Sequence, residues 1–220
     1  MKKIIKFGED VEGYDIPVLN EREIRASAGI LFLGTFISLA LILAKNNFVP
    51  VKYFITFFLT DLLIRVFINP KFAPSLIIGR LIVRNQTPEY VGAQQKKFAW
   101  IIGIALASLM FIFLVIVNAY SPITGITCLI CLIFLFFESA FGICLGCKVY
   151  SLFYKEKVQY CPGEVCDKKS RQKIQKISIT QLLIVVAFIA YIIFTIAFAR
   201  NYYSKKPHDL FGMYSSEQSK

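Results

Sequence analysis

The sequence predicts an all-α fold, a polytopic membrane helical bundle of about five transmembrane helices plus one short re-entrant or interfacial segment. Three observations lead there. Hydrophobic residues make up 56% of the 220, the mean hydropathy is +0.61, and the apolar residues are gathered into five long runs. A water-soluble globule does not have this composition. A hydrocarbon core roughly 30 Å thick is crossed by about 20 residues at 1.5 Å each, and the windows 24–44, 48–68, 98–119, 123–148 and 179–199 meet that length.

The elements follow in order. Residues 1–23 form a cytoplasmic N-terminal segment; several acids precede the first run and no A-x-A site follows it, so it does not read as a cleavable signal. Asn20 with Glu23 three positions later is a helix-start signal, so the first helix begins before the membrane does. Residues 24–150 hold a four-helix membrane core. Its second helix stops at Asn69-Pro70, because a proline ring disfavours helical geometry in the residue before it. The stretch 72–83 is apolar but interrupted by Pro74 and Arg80, and too short to cross. A basic, cysteine-containing loop (151–178), a fifth helix (179–199) and a polar tail (200–220) complete the chain.

The net charge of +11 is an orientation signal. Lys and Arg near the ends of spans are retained on the cytoplasmic side. With the N-terminus inside, 18 of the 25 basic residues fall on the inner face, eight of them in the stretch from Lys148 to Lys176, and Arg65 lies within a span. The lipid bilayer is therefore the first partner, and no nucleic acid is expected. Trp100, Tyr120, Tyr150, Tyr154, Tyr202 and Tyr203 fall near helix ends, where such rings sit at headgroup depth.

Several segments together carry a family likeness: Val18-Leu19-Asn20-Glu21-Arg22-Glu23-Ile24-Arg25, Phe72-Ala73-Pro74-Ser75 with Gly79-Arg80-Leu81, Phe98-Ala99, and Cys144-Leu145-Gly146-Cys147-Lys148-Val149-Tyr150. Over about residues 18–150 the chain resembles an uncharacterised bacterial integral membrane family, domain of unknown function 4395. The resemblance implies a multi-pass protein of the bacterial inner membrane. It implies no activity.

Six cysteines fall into three pairs. Cys128 and Cys131 lie among Ile, Leu and Thr in the outer half of the fourth helix, where cysteine serves as a small apolar residue. Cys144 and Cys147 end that helix on the inner side, and Cys161 and Cys166 stand in the basic loop beyond. Two chemistries compete for the inner four. As redox thiols, Cys144 and Cys147 pass electrons or sulfur to a thioredoxin-like or sulfur-carrier partner. As metal ligands, Cys144, Cys147, Cys161 and Cys166 close a tetrahedral site for zinc or iron, with Pro162-Gly163 supplying a turn, in a noncatalytic scaffold. A third reading makes them incidental. One point opposes the redox reading: the end of a helix disfavours a thiolate, unless a break at Gly142 or Gly146 alters the local dipole.

Asp61 and Arg65 share a face of the second helix. Glu138 lies in the fourth, and at 1.5 Å per residue its depth of about 22 Å nearly matches the roughly 20 Å of Asp61. Charges in lipid are costly and turn inward to partners. The economical arrangement is one Arg between two carboxylates, either as an interhelical clamp or as an ion path in a small transporter. At about 100° per residue Cys144 is rotated away from Glu138, which gives the carboxylate no direct role at the inner cysteines. His208, the single histidine, lies in the tail, and no phosphate loop, H-E-x-x-H or nucleophile elbow is present.

Overall fold

The computed structural model describes residues 7–11, 16–154 and 178–209. Helix α1 (Glu21–Lys45) starts where the Asn20 side chain accepts the Arg22 N–H at 3.2 Å, and ends at Asn46, whose φ of 50° is left-handed. Helix α2 (Val49–Leu63) opens on Pro50 and widens into a π-helical turn, Ile64–Ile68, before Asn69-Pro70 stops it. A short helix α3 (Pro74–Ile82) follows. Strand β1 (Val18–Asn20) pairs antiparallel with β2 (Tyr90–Gly92), tying the N-terminal segment to the start of α4 (Ala93–Phe111) and its π-turn Ile112–Ile116. A capping box of Ser121 and Thr124 starts α5 (Pro122–Phe136), which also runs into a π-turn, Phe137–Phe141. Helices α6 (Leu145–Tyr154) and α7 (Ile179–Tyr203) complete the helical set, and β3 (Ala119–Tyr120) pairs with β4 (His208–Asp209).

Among the described residues, four helical segments are long and apolar enough to cross a membrane: Glu21–Lys45, Ala93–Ile116, Pro122–Phe141 and Ile179–Tyr203. The second helix with its π-turn has 20 residues but carries Lys52, Asp61 and Arg65. All three are buried within the protein. That is how an otherwise apolar helix tolerates them, since a charge facing lipid would cost several kcal/mol.

The predicted fourth span, 123–148, is not one helix. Gly142 adopts φ +66°, and the Gly142 and Ile143 N–H groups close on the carbonyls of Glu138 and Phe137, so the helix ends there. Glycine takes this left-handed conformation without the steric cost a side chain would bring. Helix α6 begins three residues later. Apolar residues run through the break, which is why hydropathy alone does not register it.

Helices α1, α2, α4 and α5 pack around one core that includes Leu31, Ile55, Phe58, Leu62, Trp100 and Met110. The stretch predicted as interfacial or re-entrant is a helix lodged against the start of α1. A Cβ at Gly79 would lie 2.5 Å from the Glu23 carbonyl oxygen, so this crossing requires glycine. Helix α7 is peripheral: within it only Gln181 and Tyr203 are buried. It is pinned by Tyr202, whose hydroxyl donates to the Val115 and Ile116 carbonyls of the π-turn after α4.

Candidate functional site

Besides the buried Arg80–Glu23 pair, at 3.1 Å, two buried charge clusters sit at the end of the bundle where α1 begins, and the cysteines belong to only one of them. In the first, the Arg65 Nε donates to Asp61 Oδ2 at 2.8 Å, and its Nη2 donates to the hydroxyls of Ser27 and Ser75 at 2.6 and 2.5 Å. Asp61 in turn accepts the Ser75 N–H at 2.9 Å and its hydroxyl at 2.6 Å, holding the first turn of α3. The guanidinium also lies 5.2 Å from the centre of the Trp100 ring. Both Asp61 oxygens and the Arg65 fork are thus engaged by protein groups, which satisfies the buried pair.

Glu138 is not the second carboxylate of that arginine. It pairs with Lys96: Nζ lies 2.5 Å from Glu138 Oε1 and 2.8 Å from Glu21 Oε2. Lys96 is 1% exposed. The expected arrangement of one cation between two carboxylates therefore exists, but with a lysine from the start of α4 at its centre and Glu21 in place of Asp61. Lys96 precedes the predicted third span, 98–119, and counts there among the basic residues of the inner face. The usable signal was Glu138 itself, a lone carboxylate in an apolar run that requires a cation at the same depth.

Cys144 and Cys147 lie beside this triad, and Lys96 acts electrostatically on both. Cys144 immediately precedes the first residue of α6. Its Sγ accepts the Cys147 N–H at 3.3 Å, and its carbonyl accepts the Lys148 N–H at 3.2 Å, the pattern of a helix N-cap. The objection from the end of a helix dipole therefore falls away. The Gly142 break ends one helix and starts another, and Cys144 occupies a helix N-terminus, where backbone N–H groups favour a thiolate.

The break also undoes the expected separation of Cys144 from Glu138. Both now line one cavity of about 80 Å³, together with Cys131, Arg65 and Trp100. Its volume suits a few waters, at about 30 Å³ each. Gly146 brings α6 against α4 closely enough that a Cβ there would lie 2.6 Å from the Ala99 Cβ. Arg25 covers the same corner with its guanidinium against Gly142.

The site is closed. Cys144 is 7% exposed and Cys147 2%, and both are free thiols. The side chain of Cys147, unlike its backbone N–H, acts against the thiolate, and with burial it holds the Cys144 thiol well above the ordinary range, while Lys96 pulls in the opposite direction. Burial also closes both sulfurs off from any partner outside the bundle. Cys128 and Cys131 are buried in α5. Cys161 and Cys166 lie outside the described residues, and among the described residues no group of three or more His, Cys, Asp and Glu side chains could hold a metal ion.

A family model described as "Domain of unknown function (DUF4395)" matches residues 19–155. That range contains the helices from α1 to α6 and both charge clusters. No curated protein and no solved structure matches the chain.

Proposed function

The chain belongs to the DUF4395 family, a domain family of unknown function, and on that premise we propose that it is a membrane dithiol protein whose Cys144 and Cys147 exchange electrons with a thioredoxin-like partner at the cytoplasmic face of a bacterial inner membrane. The observation that supports this most directly is the N-cap hydrogen bond from the Cys147 N–H to Cys144 Sγ, beside the buried Lys96. A C-x-x-C whose first sulfur caps a helix has its two thiols one turn apart, and both the helix N-terminus and an adjacent ammonium stabilise the thiolate when it forms.

The step is a balanced exchange. The Cys144 thiolate attacks one sulfur of the partner's disulfide, and the partner's other sulfur leaves as a thiolate. Cys147 then attacks Cys144 Sγ and releases the second partner sulfur. The chain loses two electrons and two protons, and the partner gains both as a dithiol. Orientation with the N-terminus inside is part of the proposal, supported by the placement of the basic residues.

Burial of the resting thiols means that α6 must move away from Ala99 before a partner can reach them. Transfer of sulfur would use one thiol as a carrier; two thiols one helical turn apart favour exchange. A transport role for Asp61 and Arg65 has less support, because their polar atoms are bound to Ser27, Ser75 and each other in a clamp between α1, α2 and α3.

The test is capture. In the full chain expressed in membranes, Cys147→Ser leaves Cys144 unable to resolve a mixed disulfide, and a partner should accumulate in a covalent complex that a reductant releases. Recovery of equal amounts of complex from a Cys144→Ser, Cys147→Ser double variant would reject the assignment.

A further inference from the structure

A second cavity lies at the other end of the bundle from the thiols, and the chemistry at Cys144 makes no use of it. Its volume is about 660 Å³. The C-terminal third of α1, the first turn of α2, the end of α4 and the first half of α5 enclose it. Leu39, Val51, Met110 and Leu114 form its apolar interior, and Cys128 lies on its wall.

The mouth differs from the interior. Phe48 and Tyr120 stand there with ring centres 5.3 Å apart, next to Asn46 and Ser121. The Asn46 side chain is exposed and has no hydrogen-bond partner among the described residues. No charged residue contributes to the lining. Gly125 leaves room for an occupant: a Cβ placed there meets nothing within 4 Å.

Ligand sites between bundle helices have this volume and this division between apolar wall and a few polar groups. The lining itself offers a phospholipid's phosphate no cation, whereas an uncharged head could use the Asn46 carboxamide. We infer that this cavity binds an uncharged amphiphile, its apolar chain inside between α1, α4 and α5 and its hydrogen-bonding head at Asn46. The chain of such a molecule could be straight or prenyl; the chemistry of the site is shared, and the experiment separates the two.

The full chain, purified in detergent, is irradiated with a diazirine-bearing long-chain alcohol, and the labelled peptides are identified by mass spectrometry. Label is expected on the stretches 39–51 and 110–128. Unlabelled straight-chain alcohol and prenyl alcohol are added as competitors in separate arms, the stronger one identifying the chain type, with phosphatidylcholine in a third. The neutral competitors should reduce labelling at least tenfold more effectively than the phospholipid. Gly125→Phe fills the cavity from its open side and should abolish this labelling. Retention of the wild-type elution volume and of wild-type Cys144 alkylation shows that the variant is folded. An Asn46→Leu variant should weaken competition by the alcohol while the cavity stays open. Equal competition by phosphatidylcholine, or full labelling of a folded Gly125→Phe protein, would overturn the inference.

Discussion

Lys96 Nζ lies 2.5 Å from Glu138 Oε1, although the two residues are 42 positions apart and one belongs to the first turn of α4 and the other to the π-turn that ends α5. Glu21, at the start of α1, completes the group. The lysine therefore joins the beginnings of two helices to the end of a third, next to the C-x-x-C.

Removing the cation should be the most damaging single change at this group. Lys96→Met leaves two carboxylates facing each other without the cation between them, and breaking a buried pair from one side costs about 3–5 kcal/mol. Adding Glu138→Gln to Lys96→Met should restore part of that loss, because one uncompensated charge is removed. Unfolding of the detergent-solubilised protein by a denaturing detergent checks both; a double variant less stable than Lys96→Met would contradict the pairing.

Arg65→Lys should also destabilise, by about 2 kcal/mol or more, although charge is conserved. The guanidinium serves Asp61 and two hydroxyls at once, and a lysine has no planar fork to do so. Asp61→Asn should loosen α3 in particular, since the carboxylate holds the Ser75 N–H and hydroxyl. Limited proteolysis near residues 69–75 should accelerate in that variant.

Gly146→Val should open the thiol site. The added side chain meets Ala99 at the α4 crossing and pushes α6 outward, so Cys144 and Cys147 should react with a maleimide several-fold faster than in the wild type. Gly125→Ala makes the opposite control: it has open space and gains about 1 kcal/mol of helix propensity. Its stability should rise or stay level, with maleimide kinetics unchanged.

The pH dependence of Cys144 follows from its surroundings. Its thiol is held above the usual value near about 8.5, so alkylation by iodoacetamide should stay slow through neutral pH and climb only beyond the ordinary thiol range. Cys147→Ala removes the largest upward influence and should bring the onset to lower pH. Lys96→Met removes the influence that opposes it and should move the onset higher.

Much of the fold was legible in the sequence because membrane helices are written in long apolar runs, and Asn20, Pro70 and the length of 72–83 announced their own boundaries. The break at Gly142 was legible only as one of two glycines, with Gly146, at which the helix could end, since Phe141 and Ile143 keep the hydropathy high on both sides and only the backbone angle marks the stop. That one turn decided the site: it set Cys144 at a helix N-terminus and carried it to the cavity of Glu138. The pairing of Glu138 with Lys96 was hidden for a different reason. Positive residues next to spans are counted as surface markers, and Lys96, followed by Lys97, has the context of one. Depth matched Glu138 to Asp61, but depth on separate helices does not say which faces meet.

The proposed exchange reduces to whether Cys144 and Cys147 form a reversible disulfide in the folded chain. Membranes containing the full protein are equilibrated with thiol–disulfide buffers of graded potential, quenched with acid, alkylated, and the Cys144–Cys147 peptide is quantified by mass spectrometry. The expected result is a single reversible transition from dithiol to intramolecular disulfide, with a tenfold change in the ratio for about 30 mV, as a two-electron couple requires. Cys144 and Cys147 remaining fully alkylatable at every potential, while the protein stays folded, would contradict it.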